Sequence, residues 1–275
     1  MQPISDWPLA ARAGITGVFT DIDDTLTTDG AITPDALAAL DSLTAAGVDV
    51  IAITGRPVGW SLPFARSWPV NAIVAENGAV LLHLTRQNSD QPRSLLPGVL
   101  SKSYWQDAPT RRTNLARLQH AAARVLREVP GATLAQDSPG RETDIAIDHS
   151  EFAQLSPGQI DAVLHLLHSE GLHATVSSIH INAWVGAHDK LTGAHWAVKT
   201  LLGRDLALEM DQWVFVGDST NDQRMFDAFA HSVGVANVRR FEAQLAGLNR
   251  LPRYVTDGER GAGFAEVARA LLAAR

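Results

Sequence analysis

Hydrophobic and polar positions along the chain follow two rhythms. In the first, short apolar runs at residues 14–20, 48–53 and 72–75 each end abruptly in polar residues. Between the first two of these, Thr33-Pro34 supplies an N-cap and a first-turn proline for a helix with an apolar stripe through Leu37, Leu40 and Leu43, ending near Gly47. Strand, helix, strand in succession predicts βαβ units and a parallel sheet with helices on both faces. Asp29-Gly30 is a hairpin-turn signal and predicts a small β flap beyond the first strand.

The rhythm changes over residues 84–186. A polar, Pro-containing stretch at 87–97 leads to a helical pattern at 113–128, an alternating strand at 143–148, a helix at 159–170 and two strands within 174–185. The first rhythm returns with a helix from Lys190 to about 202, a strand at 213–216, strands near 232–236 and 253–255, and a closing helix at 264–272. The expected organisation is an α/β core, doubly wound and Rossmann-like, formed by residues 1–83 and 187–275. An α+β unit at 84–186 interrupts it.

Composition narrows the function. With 45% hydrophobic residues and 21 glycines in 275 residues, the chain has material for a sizeable core. Its formal charge of −7 and lack of a basic tail exclude nucleic acid as the expected partner. The absence of cysteine removes disulfides, thiolate nucleophiles and Cys-ligated metals. The first residues carry no secretory pattern and no apolar run is long enough to span a bilayer, so a cytoplasmic protein without membrane contact is expected.

In an open parallel sheet, ligands bind beyond the carboxyl ends of the strands. Asp21, Thr54 and Asp218 each follow such a strand, which brings three distant segments to one pocket. Asp21 and Asp23 project to the same side of an extended chain, and with Asp218 they make a set of hard oxygen donors suited to magnesium. The chain has no G-x-G-x-x-G pattern and no P-loop, so nothing predicts a nucleotide cradle. Thr25 and Ser219 serve equally well as turn or cap residues. The histidines lack metal-ligand spacing.

Asp21-Ile22-Asp23-Asp24-Thr25 resembles the D-x-D-x-T signature of haloacid dehalogenase superfamily phosphohydrolases. Thr54-Gly55-Arg56 is similar to the second motif of that superfamily, Lys190 to the third, and Gly217-Asp218-Ser219-Thr220-Asn221-Asp222 to the fourth. The large insertion, with Glu76-Asn77-Gly78-Ala79 just before it, resembles the type-IIB cap branch that includes sucrose-phosphate, mannosyl-phosphoglycerate and trehalose-phosphate phosphatases.

The resemblance implies a phosphatase acting on a small phosphorylated metabolite, a sugar or sugar-like phosphate. Asp21 would be the nucleophile and Asp23 the general acid and base, with Thr54 and Lys190 completing the catalytic set. Thr25, Gly55, Arg56, Asn221 and Asp222 would support the phosphate and the metal. Mg2+ would be held by Asp21, the Asp23 backbone carbonyl and Asp218. Glu76, Asn77, Arg141, Glu142, His180, Asn182 and Trp184 are the candidates for contacting the leaving group, although Trp184 also suits the core of the inserted unit. A phosphomutase of the same superfamily is the nearest alternative, and a catalytically silent phospho-ligand binder is the alternative from another class.

Overall fold

The computed structural model describes residues 1–85 and 98–275, so the Pro-containing stretch expected at 87–97 lies outside the described residues. Strand β1 (Gln2–Pro3) and helix α1 (Leu9–Ala13) precede the central strand β2 (Gly17–Thr20). A flap of β3 (Thr27–Thr28) and β4 (Ala31–Ile32) follows, with Asp29 and Gly30 at φ 51° and 79°. Such a left-handed pair is what a tight two-residue hairpin turn needs, which is why Asp-Gly marks it. Next come α2 (Pro34–Ala45), β5 (Asp49–Ile53), α3 (Val58–Ser67), β6 (Ala72–Ala75), β7 (Val80–Thr85) and β8 (Val99–Tyr104).

The insertion holds α4 (Ala108–Glu128), β9 (Thr133–Leu134), β10 (Asp144–Asp148), α5 (Pro157–Ser169), β11 (His173–Val176) and β12 (His180–Trp184). The chain closes with α6 (Lys190–Leu202), β13 (Trp213–Gly217), α7 (Gln223–Ala228), β14 (His231–Gly234), α8 (Glu242–Gly247), β15 (Tyr254–Val255) and α9 (Arg260–Leu272).

The large sheet runs β1-β15-β14-β13-β2-β5-β6-β7-β8, parallel up to β6 and antiparallel for the last two strands. Alternation along buried strands sends successive side chains to opposite layers. Val18, Val50 and Val214 pack with Leu40 and Leu43 of α2 and Phe264 and Val267 of α9. Phe19, Ile51 and Phe215 pack on the other face with Ala194 and Val198 of α6 and Phe226 of α7.

The second sheet, β11-β12-β10-β9, is antiparallel. Its Ile145, Ile147, Ile181 and Ala183 face α4 and α5. The strand registers place His173, Thr175, Asn182, Trp184 and Asp144 on its opposite face, toward the core. Among the described residues, no helix is long and apolar enough to cross a membrane.

Three of the differences from the sequence pattern bear on how the units are built. Residues 99–104, expected in the inserted unit, form the outer strand of the large sheet by pairing with β7. Helix α4 begins at Ala108, five residues before its apolar periodicity, because the Asp107 carboxylate accepts from the Thr110 N–H at 2.8 Å and caps it. Helix α9 begins at Arg260, before its apolar periodicity, and takes in Gly261, where any Cβ would overlap the Thr33 hydroxyl at the start of α2. Glycine there serves close helix packing, although in sequence it looks like a breaker.

Candidate active site

Asp21 leaves the carboxyl end of β2 while its N–H still donates to the Val216 carbonyl at 2.8 Å, so its side chain stands over the central pair of strands. The buried Asp21 Oδ1 accepts from Lys190 Nζ at 2.5 Å. Lys190 is the first residue of α6, and that helix reaches the site because two glycines let backbones touch. Gly78, at φ 107°, lies against the Asp189 carbonyl, and Gly193 lies against Gly78, so a Cβ on either would overlap its neighbour.

Lys190 also donates to Asp222 Oδ1 at 2.7 Å. Asp222 Oδ2 accepts from the N–H groups of Asp218 (3.0 Å) and Ser219 (3.3 Å), pinning the turn after β13. Asp218 Oδ2 accepts from Asn237 Nδ2 at 3.1 Å, whereas its buried Oδ1 has no partner among the described residues.

Oxygens of Asp21, Asp218 and Asp222 all lie within 4.8 Å of one another. Burial pushes Asp21 up to about 8 against the pull of Lys190, and Asp222 and Asp23 add to the rise. Burial raises Asp218 as well, reinforced by Asp21 and Asp222. Burial works against the Lys190 charge, but Asp21 and Asp222 outweigh it and keep the ammonium protonated. With all three carboxyls ionised, a single ammonium would leave negative charge unbalanced, and a bound cation would restore the balance and bring Asp21 and Asp218 back down. The free Asp218 Oδ1 beside Asp21 suits a hard divalent cation such as magnesium. The Asp23 carboxylate is outside this cluster; Asp222 takes the third place, with both oxygens engaged by Lys190 and the backbone.

Asp23 instead accepts from Arg56 Nε at 2.8 Å. Arg56 is 5% exposed and joins the two units: Nη2 donates to Glu151 at 2.8 Å and Nη1 to Asp137 at 3.2 Å. Glu151 in turn meets His180 Nε2 at 2.8 Å. Burial opposes ionisation of Glu151, but the hydrogen bonds from His180 and Arg56 outweigh it and hold the carboxyl down at about 2. Thr54 is buried and its hydroxyl oxygen accepts from the Arg56 N–H at 2.9 Å, leaving its proton free to donate. The buried Thr25 hydroxyl has no partner among the described residues. Asn221 Oδ1 accepts from the Ser219 hydroxyl at 2.9 Å.

The residues expected to meet a leaving group divide. His180 and Asn182 line a small cavity with Asp21 and Asp23. Trp184 is buried, donates from its indole N–H to the His188 carbonyl at 2.8 Å, and lines a different cavity. Asn77 lies behind Gly55, its amide 3.5 Å from Asp144.

Glu76, Arg141 and Glu142 have other occupations. The fully buried Glu76 carboxylate accepts from the N–H groups of Val58 (3.0 Å), Glu142 (3.0 Å) and Thr143 (2.6 Å) and from the Thr143 hydroxyl (2.5 Å). Arg141 spends its guanidinium on Asp144, Asp137 and the Gly55 carbonyl. Glu142 meets Lys102 (2.7 Å) and the Tyr104 hydroxyl (2.5 Å). All three tie the inserted unit to the large sheet; Glu76 and Arg141 are buried in these contacts, whereas Glu142 stays partly exposed. Asp137, Glu151 and Asn237 were not legible as site residues: two belong to the insertion, and Asn237 sits in an ordinary-looking turn after β14.

Residues 18–94 match the family model of the haloacid dehalogenase-like hydrolases, and the fold and the order of the four motifs are similar to those of that superfamily. It is similar to the phosphoglycolate phosphatase of Methanothermobacter thermautotrophicus, with 26% identity over 265 residues, covering 93% of this chain and 98% of the relative. Among solved structures, a Thermoplasma acidophilum protein matches with a TM-score of 0.68 at 17% identity, covering 94% of this chain and 98% of its own. The sucrose-phosphatase of Synechocystis sp. PCC6803, solved with sucrose and phosphate, matches with a TM-score of 0.62 at 17% identity, covering 93% and 97%.

Proposed function

We propose that this chain is a phosphatase that moves the phosphoryl group of a small metabolite onto Asp21 and then to water. The observation that carries the reading is the placement of Asp21: at the carboxyl end of the central strand, 2.5 Å from the Lys190 ammonium, beside an Asp218 oxygen with no protein partner among the described residues. A nucleophile so placed splits one hard displacement into two easier ones. Lys190 keeps Asp21 oriented and offsets charge on the transferring group. The Thr54 hydroxyl proton is available to a phosphoryl oxygen. Asp23, two residues beyond the nucleophile, protonates the departing alkoxide and then deprotonates the attacking water, with Arg56 fixing the carboxylate for both steps.

Asp21 and Asp218, with the Asp23 backbone carbonyl, would hold magnesium, which when bound supplies positive charge opposite the phosphoryl oxygens. Asn221 and Asp222 hold the turn that presents Asp218.

The leaving group departs on the Asp23 side, where a cavity of about 390 Å³ is lined by Asp23, Asp24, Asp29 and Glu151 with Arg56 and Arg260. Carboxylates outnumber guanidiniums there, which disfavours an anionic leaving group such as glycolate and favours a neutral, hydroxyl-rich one. A sugar or polyol phosphate is therefore the substrate class this site supports best. Phosphate release should be measured for sugar phosphates, polyol phosphates and phosphoglycolate with magnesium, and again after exhaustive chelation. The expected result is a higher kcat/KM for the sugar or polyol esters and loss of activity without metal. Preference for phosphoglycolate would overturn the sugar assignment, and full activity after chelation would overturn the metal.

A further inference from the structure

The leaving-group cavity beside Asp23 has two unlike walls. The core contributes polar side chains, among them Asp24, Asp29 and Arg260. The insertion contributes Phe152 and Ile179, the two apolar side chains among the described residues that line the cavity. Ile179 is half-buried, but Phe152 is 65% exposed and belongs to none of the apolar clusters of the described residues.

A single exposed phenylalanine on a loose loop would carry no meaning. The loop that bears this one is pinned on every side. The buried Asp148 carboxylate at the end of β10 accepts from the N–H groups of Glu151 (2.9 Å), Phe152 (2.9 Å) and Ala153 (3.3 Å). The N–H groups of His149 and Ser150 donate to the Ile179 carbonyl, and the Ser150 hydroxyl donates to the Ser178 carbonyl at 2.8 Å, which laces the loop to the turn between β11 and β12. The Glu151 carboxylate is held by Arg56 and His180, and the same Arg56 holds Asp23. The fold therefore fixes an accessible aromatic ring at the cavity, one residue from the network that positions the general acid.

A pyranose carries hydroxyls around its rim and C–H bonds on its faces. A flat apolar ring on one wall matches a face, and polar groups on the other wall match the rim. An acyclic polyol of the same composition offers such a face only after its torsions have been frozen, which weakens binding.

We infer that Phe152 determines specificity by lying against the C–H face of a cyclic sugar, so that the preferred substrate is a pyranose phosphate rather than an acyclic polyol phosphate. The inference rests on the phosphatase reading of the site and narrows its substrate class.

The test compares glucose 6-phosphate with glucitol 6-phosphate, which have the same number of carbons and differ in the ring. Calorimetry on the full chain carrying Asp21→Asn, with magnesium, should show glucose 6-phosphate bound about tenfold more tightly. Adding Phe152→Ala should remove most of that ratio, and adding Phe152→Trp should keep it. With Asp21 intact, the same ratio should appear in KM for the two esters. Equal affinities, no binding of either ester, or a ring preference that survives Phe152→Ala would overturn the inference. Absence of turnover with a ring preference that depends on Phe152 would overturn the phosphatase reading and support the pyranose contact, so the two failures are distinct.

Discussion

Glu76→Gln separates a structural role from a substrate-binding one. The carboxylate joins the start of α3, through the Val58 N–H, to the chain entering β10, through the Glu142 and Thr143 N–H groups. An amide has one acceptor end. With its oxygen toward Val58 and Glu142, its NH2 confronts the Thr143 N–H and hydroxyl; turned the other way, it confronts Val58 and Glu142. In either orientation at least one buried backbone donor is stranded, at about 1–3 kcal/mol, and the remaining bonds lose the assistance of the charge. A destabilisation of about 3 kcal/mol follows, which at about 2–4 °C per kcal/mol lowers Tm by roughly 6–12 °C. Calorimetry measures the shift, and the Michaelis constants for a sugar phosphate and a generic ester, taken well below Tm, should change together. An unchanged Tm with a selective rise in KM for the sugar phosphate would refute the reasoning and put Glu76 on the substrate.

Arg141→Ala removes the buried partner of Asp144 and the donor to the Gly55 carbonyl, so it should cost about 3–5 kcal/mol of stability. It should reduce turnover of sugar phosphates and generic esters alike; selective loss on sugar phosphates would return Arg141 to the ligand. His188 is buried neutral with its pKa pushed down to about 4. The unfolded chain therefore takes up a proton near pH 6.5 that the native one refuses until about 4, and stability falls as pH drops through that window by at most about 3 kcal/mol. His188→Phe should flatten denaturation midpoints between pH 6.5 and 4, and an unchanged slope would show that the ring is solvated.

Much of the core was legible because its chemistry sits at strand ends. Asp21, Thr54 and Asp218 each follow an apolar run, and the parallel sheet brings such ends together whatever the loops do. The same logic failed in the insertion. Arg141 and Glu142 have the chemistry of ligand contacts, but a sequence does not tell which buried polar groups satisfy one another. Here Arg141 is taken by its near neighbours Asp144 and Asp137, while Glu142 and Glu76 are taken by Lys102, Tyr104 and backbone N–H groups far away in the chain. Asp137 and Glu151 look like solvated surface acids until folding sets both against Arg56. His188, one of many histidines without ligand spacing, became distinctive only through burial without partners.

The central claim is that Asp21 carries the phosphoryl group between substrate and water. Rapid acid quench of the enzyme with magnesium and an activated phosphate ester, followed by peptide mapping by mass spectrometry, tests it directly. The account predicts a phosphorylated carboxylate on the peptide containing Asp21, longer-lived in Asp23→Asn, and absent in Asp21→Asn, which should lose turnover by far more than tenfold because several kcal/mol of barrier return. Turnover by Asp21→Asn within about tenfold of wild type, or a phosphoryl group trapped on another residue, would contradict it.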